Sequence, residues 1–115
     1  MPVPTEIRLD RAARVLRVSF DDGADYALPA EYLRVESPSA EVQGHGPGQK
    51  TIIGGKQMVG ITSVEPVGHY AVRLVFDDGH DSGIFSWDYL HELGVEHDRR
   101  WPAYLVEIAA RGLSR

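Results

Sequence analysis

Five histidines, His45, His69, His80, His91 and His97, are the ligand supply of this chain, because it has no cysteine. Without cysteine there is no disulfide, no thiolate metal site and no thiol nucleophile. His80, with His45 or His69 and a carboxylate such as Asp77 or Asp81, is the candidate metal set, since imidazole and carboxylate suit zinc or iron. His69 and His80 fall at opposite ends of one predicted strand, so His45 would have to fold back to one of them. The bland alternative is that His80 caps a turn, at a position that an earlier copy of the same pattern fills with Ala24.

Two acidic pairs, Asp21-Asp22 and Asp77-Asp78, could share a proton if pressed together. Both precede a glycine, and aspartate is favoured in turns by bonding to nearby backbone, so turn chemistry accounts for them. Gly44-His45-Gly46-Pro47-Gly48-Gln49-Lys50-Thr51 resembles a phosphate loop only in outline. Gln49 stands where a glycine must precede the lysine, and Pro47 removes a backbone donor. An ATP site is excluded. Gly44, His45, Gly46 and Gly48 remain a candidate partner-binding loop. No Ser/His/Asp or Cys/His signature supports a small hydrolase.

The elements that hold these residues come from an internal repeat. Leu16-Arg17-Val18-Ser19-Phe20-Asp21-Asp22-Gly23 returns as Val72-Arg73-Leu74-Val75-Phe76-Asp77-Asp78-Gly79, and Tyr32-Leu33 returns as Tyr89-Leu90. Each copy reads as a strand with an apolar face at period two, an Asp-Gly turn, a returning strand and a helical turn. Strands are expected over 6–9, 14–20, 25–28, 61–66, 69–76 and 80–84. Helices are expected over 29–34 and 87–93, the latter capped by Ser86 and ended by Gly94. Residues 36–60 hold six of the twelve glycines and show neither period, so they read as a long loop with a short strand at 51–53. Trp101, Tyr104, Leu105, Ile108 and Ala109 lie at helical spacing, with Pro102 in the first turn and Gly112 as terminator. That helix, about 99–111, should lay its apolar stripe on the sheet. The expected class is α+β: one domain over 1–115, with an antiparallel sheet from two related hairpin/helix units and a C-terminal amphipathic helix.

Composition narrows function by exclusion. A net charge of -5 with dispersed basic residues argues against nucleic acid. Arg99-Arg100, the one dense basic spot, reads as solvated charge. No apolar run is long enough to cross a membrane, and the first residues carry neither a basic region nor an apolar stretch, so a cytoplasmic location is expected.

Leu33-Arg34, Ser37-Pro38-Ser39-Ala40-Glu41-Val42, Gly44-His45-Gly46, Ile61, Glu65-Pro66-Val67-Gly68-His69-Tyr70, Phe76-Asp77-Asp78-Gly79-His80-Asp81-Ser82-Gly83-Ile84 and Ser86-Trp87-Asp88-Tyr89-Leu90 resemble the gamma-butyrobetaine hydroxylase N-terminal-like domain, over about 5–96. The resemblance implies a bacterial domain found alone, before 2-oxoglutarate-dependent hydroxylases, or attached to P-loop iron-sulfur carrier ATPases. It further implies a zinc site whose three cysteines fall near Ser37, Ser39 and Val42 and whose histidine falls at His80. Here every thiolate is missing, so the hydroxylase-type zinc site is expected to be absent. The chain also lacks a His-x-Asp/Glu pattern and the length for the hydroxylase barrel. The resemblance therefore points to a non-catalytic binding or adaptor domain in iron-sulfur or metal-cofactor handling, with a protein partner such as a carrier ATPase. The alternative is a metal-binding domain built on His80.

Overall fold

The computed structural model describes residues 2–44 and 48–115. The chain folds as two β-β-β-α units followed by a helix. The first unit comprises β1 (Pro4–Asp10), β2 (Val15–Phe20), β3 (Asp25–Pro29) and α1 (Ala30–Val35). A four-residue helix, α2 (Ala40–Gln43), follows it. The second unit comprises β4 (Ile61–Val67), β5 (Ala71–Phe76), β6 (Gly83–Ser86) and α3 (Trp87–Val95), and α4 (His97–Ala110) closes the chain. Each unit makes its own three-stranded antiparallel sheet, ordered β1-β2-β3 and β4-β5-β6. The α+β class and the two related units are as the sequence predicts.

The central strands carry the core. Leu16, Val18 and Phe20 of β2, with Val72, Leu74 and Phe76 of β5, are buried to within a few per cent, along with Leu28, Phe85, Leu33, Leu90 and Leu93. Period-two alternation sends these side chains to one face, where two sheets and two helices exclude water together.

The repeat extends to backbone detail. A register shift interrupts β1 between Pro4 and Glu6, and β4 between Ile61 and Ser63. The skipped threonines behave alike, Thr5 Oγ1 donating to the Ser19 carbonyl and Thr62 Oγ1 to the Val75 carbonyl, each at 3.2 Å. At the turns, the Ala24 amide donates to Asp22 Oδ1 (2.9 Å) and the His80 amide to Asp78 Oδ1 (3.0 Å). Gly23 and Gly79 follow at φ 87° and 92°, where a side chain would be strained. Turn chemistry thus accounts for the second aspartate of each pair, and each of these also holds an ion pair.

Several boundaries differ from expectation. Residues 51–53 form no strand; the Thr51 amide donates to the Val42 carbonyl and Tyr104 Oη to the Ile53 carbonyl, so this segment is pinned by single bonds. His69 and Tyr70 belong to the turn before β5. Pro29 is the extended cap before α1 rather than its first residue. Ser86 caps α3 as predicted, accepting from the Tyr89 amide, but Gly94 lies inside that helix. Its lack of a side chain makes room for Tyr26, whose ring atoms would stand 2.4–2.6 Å from a Cβ there.

The last helix begins at His97, before Pro102, which is therefore interior. Glu96 makes that start: its carbonyl accepts the Arg99 and Arg100 amides, and its carboxylate pairs with both guanidinium groups at 2.8 and 2.7 Å. Gly112 ends it as predicted, with the Leu113 amide on the Ile108 carbonyl and the Gly112 amide on the Ala109 carbonyl. Its apolar stripe does not cover a sheet. Tyr104 and Ile108 pack with Val35 of α1 and with Ile52 in a cluster of their own. Arg100 is not solvated charge either: it keeps 19% side-chain exposure and pairs with Glu36, Glu92 and Glu96.

Candidate functional site

The two units bond to each other through equivalent residues. Tyr32 Oη donates to the Leu93 carbonyl at 2.7 Å, and Tyr89 Oη to the Glu36 carbonyl at 2.5 Å. Asp22 of the first turn pairs with His91 of α3 at 2.8 Å, and Asp78 of the second turn with Arg34 of α1 at 2.8 Å. Tyr89 follows Tyr32, Leu93 follows Glu36 and His91 follows Arg34 by one common spacing of 57 residues. Burial, reinforced by Glu36, pushes the Tyr89 phenol up to about 12, so it stays a donor at neutral pH.

The symmetry fails at one corner, and the polar cluster lies there. Where the first unit has Ala24 and Tyr26, the second has His80 and Gly83. His80 Nε2 is 2.9 Å from Ser37 Oγ and 3.3 Å from Ser39 Oγ, and the two hydroxyls are 3.3 Å apart. Gly83 is required beside them, since a Cβ there would approach Ser37 Oγ to 2.5 Å. Ser82 Oγ reaches Glu41 across the same corner. Desolvation, then the Arg34 charge, lowers the His80 pKa, which keeps the imidazole neutral at neutral pH. Burial alone would raise the Asp78 carboxyl, but bonds from Lys56 (2.6 Å), the His80 amide and Arg34 outweigh it and hold it well below the usual carboxylate range.

A serine hydroxyl 2.9 Å from an imidazole has the spacing of an activated nucleophile. Ser37, however, is fully buried and Ser39 nearly so, so no acyl or phosphoryl substrate reaches either. Nor do these residues fit zinc. At the positions carried over from the resemblance stand one imidazole, two hydroxyls bonded to each other and to it, and Val42, fully buried and apolar. Among the described residues no three His, Asp or Glu side chains gather in a metal-holding group. His80 and His69 lie in the turns at the two ends of β5, whose six residues span about 20 Å. His45 and Gly46 lie outside the described residues. Gly44 and Gly48 flank them, both at positive φ.

The open surface lies elsewhere, between β1 and β4. Ile7 and Leu9 of β1 and their equivalents Val64 and Pro66 of β4 line a trough of about 420 Å³, together with Val72 and Trp87. Arg11 bridges the strands by donating to the Thr62 carbonyl at 2.9 Å. A second apolar recess of about 340 Å³, which shares Trp87 with the first, is lined by Val3 and Tyr70, which are 46% and 60% exposed. The sequence signals the trough only through the alternation of β1 and β4, which does not tell a covered inner face from an open one. The Arg34–Asp78–Lys56 cluster was equally hidden, since its members lie far apart in the chain.

The comparisons agree with this architecture. The family model described as gamma-butyrobetaine hydroxylase-like, N-terminal, matches residues 7–91. Two solution NMR structures are 51% and 45% identical, each with a TM-score of 0.86 over the whole chain and over 90% and 86% of their own chains. A crystal structure from Acidithiobacillus ferrooxidans ATCC 23270, described as a protein of unknown function of the DUF971 family, is 45% identical, with a TM-score of 0.67 over 79% of this chain and 91% of that one. No curated protein matches the chain.

Proposed function

The chain belongs to the gamma-butyrobetaine hydroxylase-like N-terminal family, and on that premise we propose that it is a non-catalytic binding domain whose trough between β1 and β4 receives a protein partner. The observation that carries this reading is the contrast between its two special regions. Among the described residues, the side-chain set with catalytic spacing has both its serines, Ser37 and Ser39, buried beside a half-buried His80. The trough between the half-buried Ile7, Leu9 and Val64 and the exposed Pro66 instead opens to solvent, is mostly apolar and is of ligand-site size. Exposed apolar recesses of this kind mark interaction sites. Pro4 and Pro66 lack the amide that strand addition to β1 or β4 would use, so the partner inserts side chains rather than a strand.

For the partner we propose a P-loop iron-sulfur carrier ATPase in the cytoplasm, with the domain serving iron-sulfur or metal-cofactor handling. Among the described residues no helix is long and apolar enough to cross a membrane, which is compatible with that setting. The test is affinity capture from native extract with wild-type and Pro66→Glu baits. Recovery of a carrier ATPase by the first and its loss in the second is expected. Equal recovery by both would remove the trough from the account.

A further inference from the structure

Within the frame of two matching units, one surface pair changes sign. On the outer face of the second sheet, Glu65 of β4 stands opposite Arg73 of β5. Glu65 Oε1 lies 3.0 Å from Arg73 Nε and 2.5 Å from Nη2, while Nη1 donates to the Asp81 carbonyl. The equivalent positions on the first sheet are Arg8 and Arg17, also directly opposite. Two guanidinium stems therefore rise from neighbouring strands about 5 Å apart, and like charges so placed destabilise a sheet. Arg8 leans along its own strand to Glu6 at 3.3 Å, with both side chains more than half exposed. Arg17 is exposed and has no carboxylate partner among the described residues.

The surroundings sharpen the asymmetry. The hairpin that joins the two strands carries Arg11 and Arg14, and Arg14 is the one non-glycine residue among those described with positive φ, at 55°. Nearby acids are already engaged: Asp10 accepts the Ala13 amide and Asp25 the Ser19 hydroxyl. Four arginines at every third position thus gather on one hairpin of a chain whose net charge is -5.

We propose that Arg8 and Arg17 dock the carboxylates of an acidic segment of a protein partner, supplying from outside the pairing that Glu65 gives Arg73 within the fold. The inference rests on the adaptor reading and names the chemistry of its partner. Guanidinium forks take carboxylates in bidentate, charge-assisted pairs. A nucleic acid is disfavoured because its continuous phosphate line would also meet Glu6, Asp10 and Asp25, against an overall negative field. Strand β1 joins this face to the trough, since Ile7 and Leu9 point into the one and Arg8 onto the other. A partner clasping the β1 edge would set apolar side chains inward and acidic ones outward.

The test is an NMR titration of the ¹⁵N-labelled full chain with an end-capped synthetic Glu-rich peptide at low ionic strength, with a duplex oligonucleotide in parallel. Saturable shifts are expected at the Arg8 and Arg17 side chains and the β1–β2 amides, weakening as salt is added. Arg8→Glu gives the first sheet the pairing of the second. It is expected to weaken the peptide about tenfold, the worth of one charge-assisted bond, while raising the melting temperature. Glu65→Arg should leave the peptide affinity unchanged. No saturable shift, shifts centred elsewhere, full affinity in Arg8→Glu, or tighter binding of the oligonucleotide would overturn the proposal. If a carrier ATPase binds wild type and Arg8→Glu equally, the docking proposal fails and the adaptor reading stands. If the peptide binds at Arg8 and Arg17 but no ATPase binds, that partner assignment fails alone.

Discussion

The first and second β-β-β-α units agree in their bulged strands, their Asp-Gly turns and the tyrosines that each lends to the other, yet they use the same corner differently. In the first unit the space between turn and opposing helix is filled by rings: Tyr26 lies on Gly94, and Phe20 and Tyr26 meet the His91 ring edge-on at 4.9 and 5.7 Å. In the second the large and small partners are exchanged, Gly83 facing Ser37, and a histidine and two serines occupy the space. One backbone frame thus supports an apolar corner and a polar one. Function separates from fold at such positions, because the frame is held by bonds the two corners share.

The comparison breaks hardest where a ring meets a helix glycine. Gly94→Ala should cost about 3 kcal/mol despite the better helix propensity of alanine, since the Tyr26 ring must shift. Chemical denaturation measures this, and a gain in stability would show that Tyr26 is free to move away. Next comes the pair of turn aspartates. Asp78→Ala should cost about 2 kcal/mol by leaving the Arg34 guanidinium, only 11% exposed, without its carboxylate. That is below the roughly 3–5 kcal/mol for a fully buried pair because Asp78 stays partly exposed. Asp22→Ala, at the more exposed equivalent, should cost clearly less. The tyrosines are the symmetric control: Tyr32→Phe and Tyr89→Phe should each cost about 1 kcal/mol, and similar values would show that the cross-unit bonds are equivalent.

The smallest expected effect is one of pH. His80 has a folded pKa below its unfolded value, near 6.5. Its neutral form is therefore preferred in the fold, so its contribution is complete above about pH 6.5 and is lost as pH falls towards the folded pKa. Melting at pH 7.5 and 5.5 should show wild type losing stability that His80→Gln keeps. Asp78, with its depressed pKa, acts lower: its contribution holds above about pH 4 and is lost only in strong acid.

Much of this was legible in the chain. Repeated Phe-Asp-Asp-Gly, alternating strands and the Ser86 cap fixed the units, and the 57-residue spacing from Tyr32 to Tyr89 held the symmetry. Ser37, Ser39 and His80 were linked through the family resemblance, and the fold does bring them together. What stayed hidden depended on non-local packing. Gly94 looked like a helix stop, but its role is to accept Tyr26. Pro102 looked like a first-turn residue, but Glu96 starts the helix a turn earlier. The stripe on the last helix gave its face and not its neighbour, which is Val35 and Ile52 rather than a sheet.

The central claim, that the open trough and not the Ser37–Ser39–His80 corner with its buried serines carries function, is tested most directly by calorimetric titration of the chain with a purified iron-sulfur carrier ATPase. The account predicts saturable binding that Pro66→Glu weakens at least tenfold, roughly 1.4 kcal/mol, and that His80→Gln leaves intact. Binding lost in His80→Gln and kept in Pro66→Glu would contradict it.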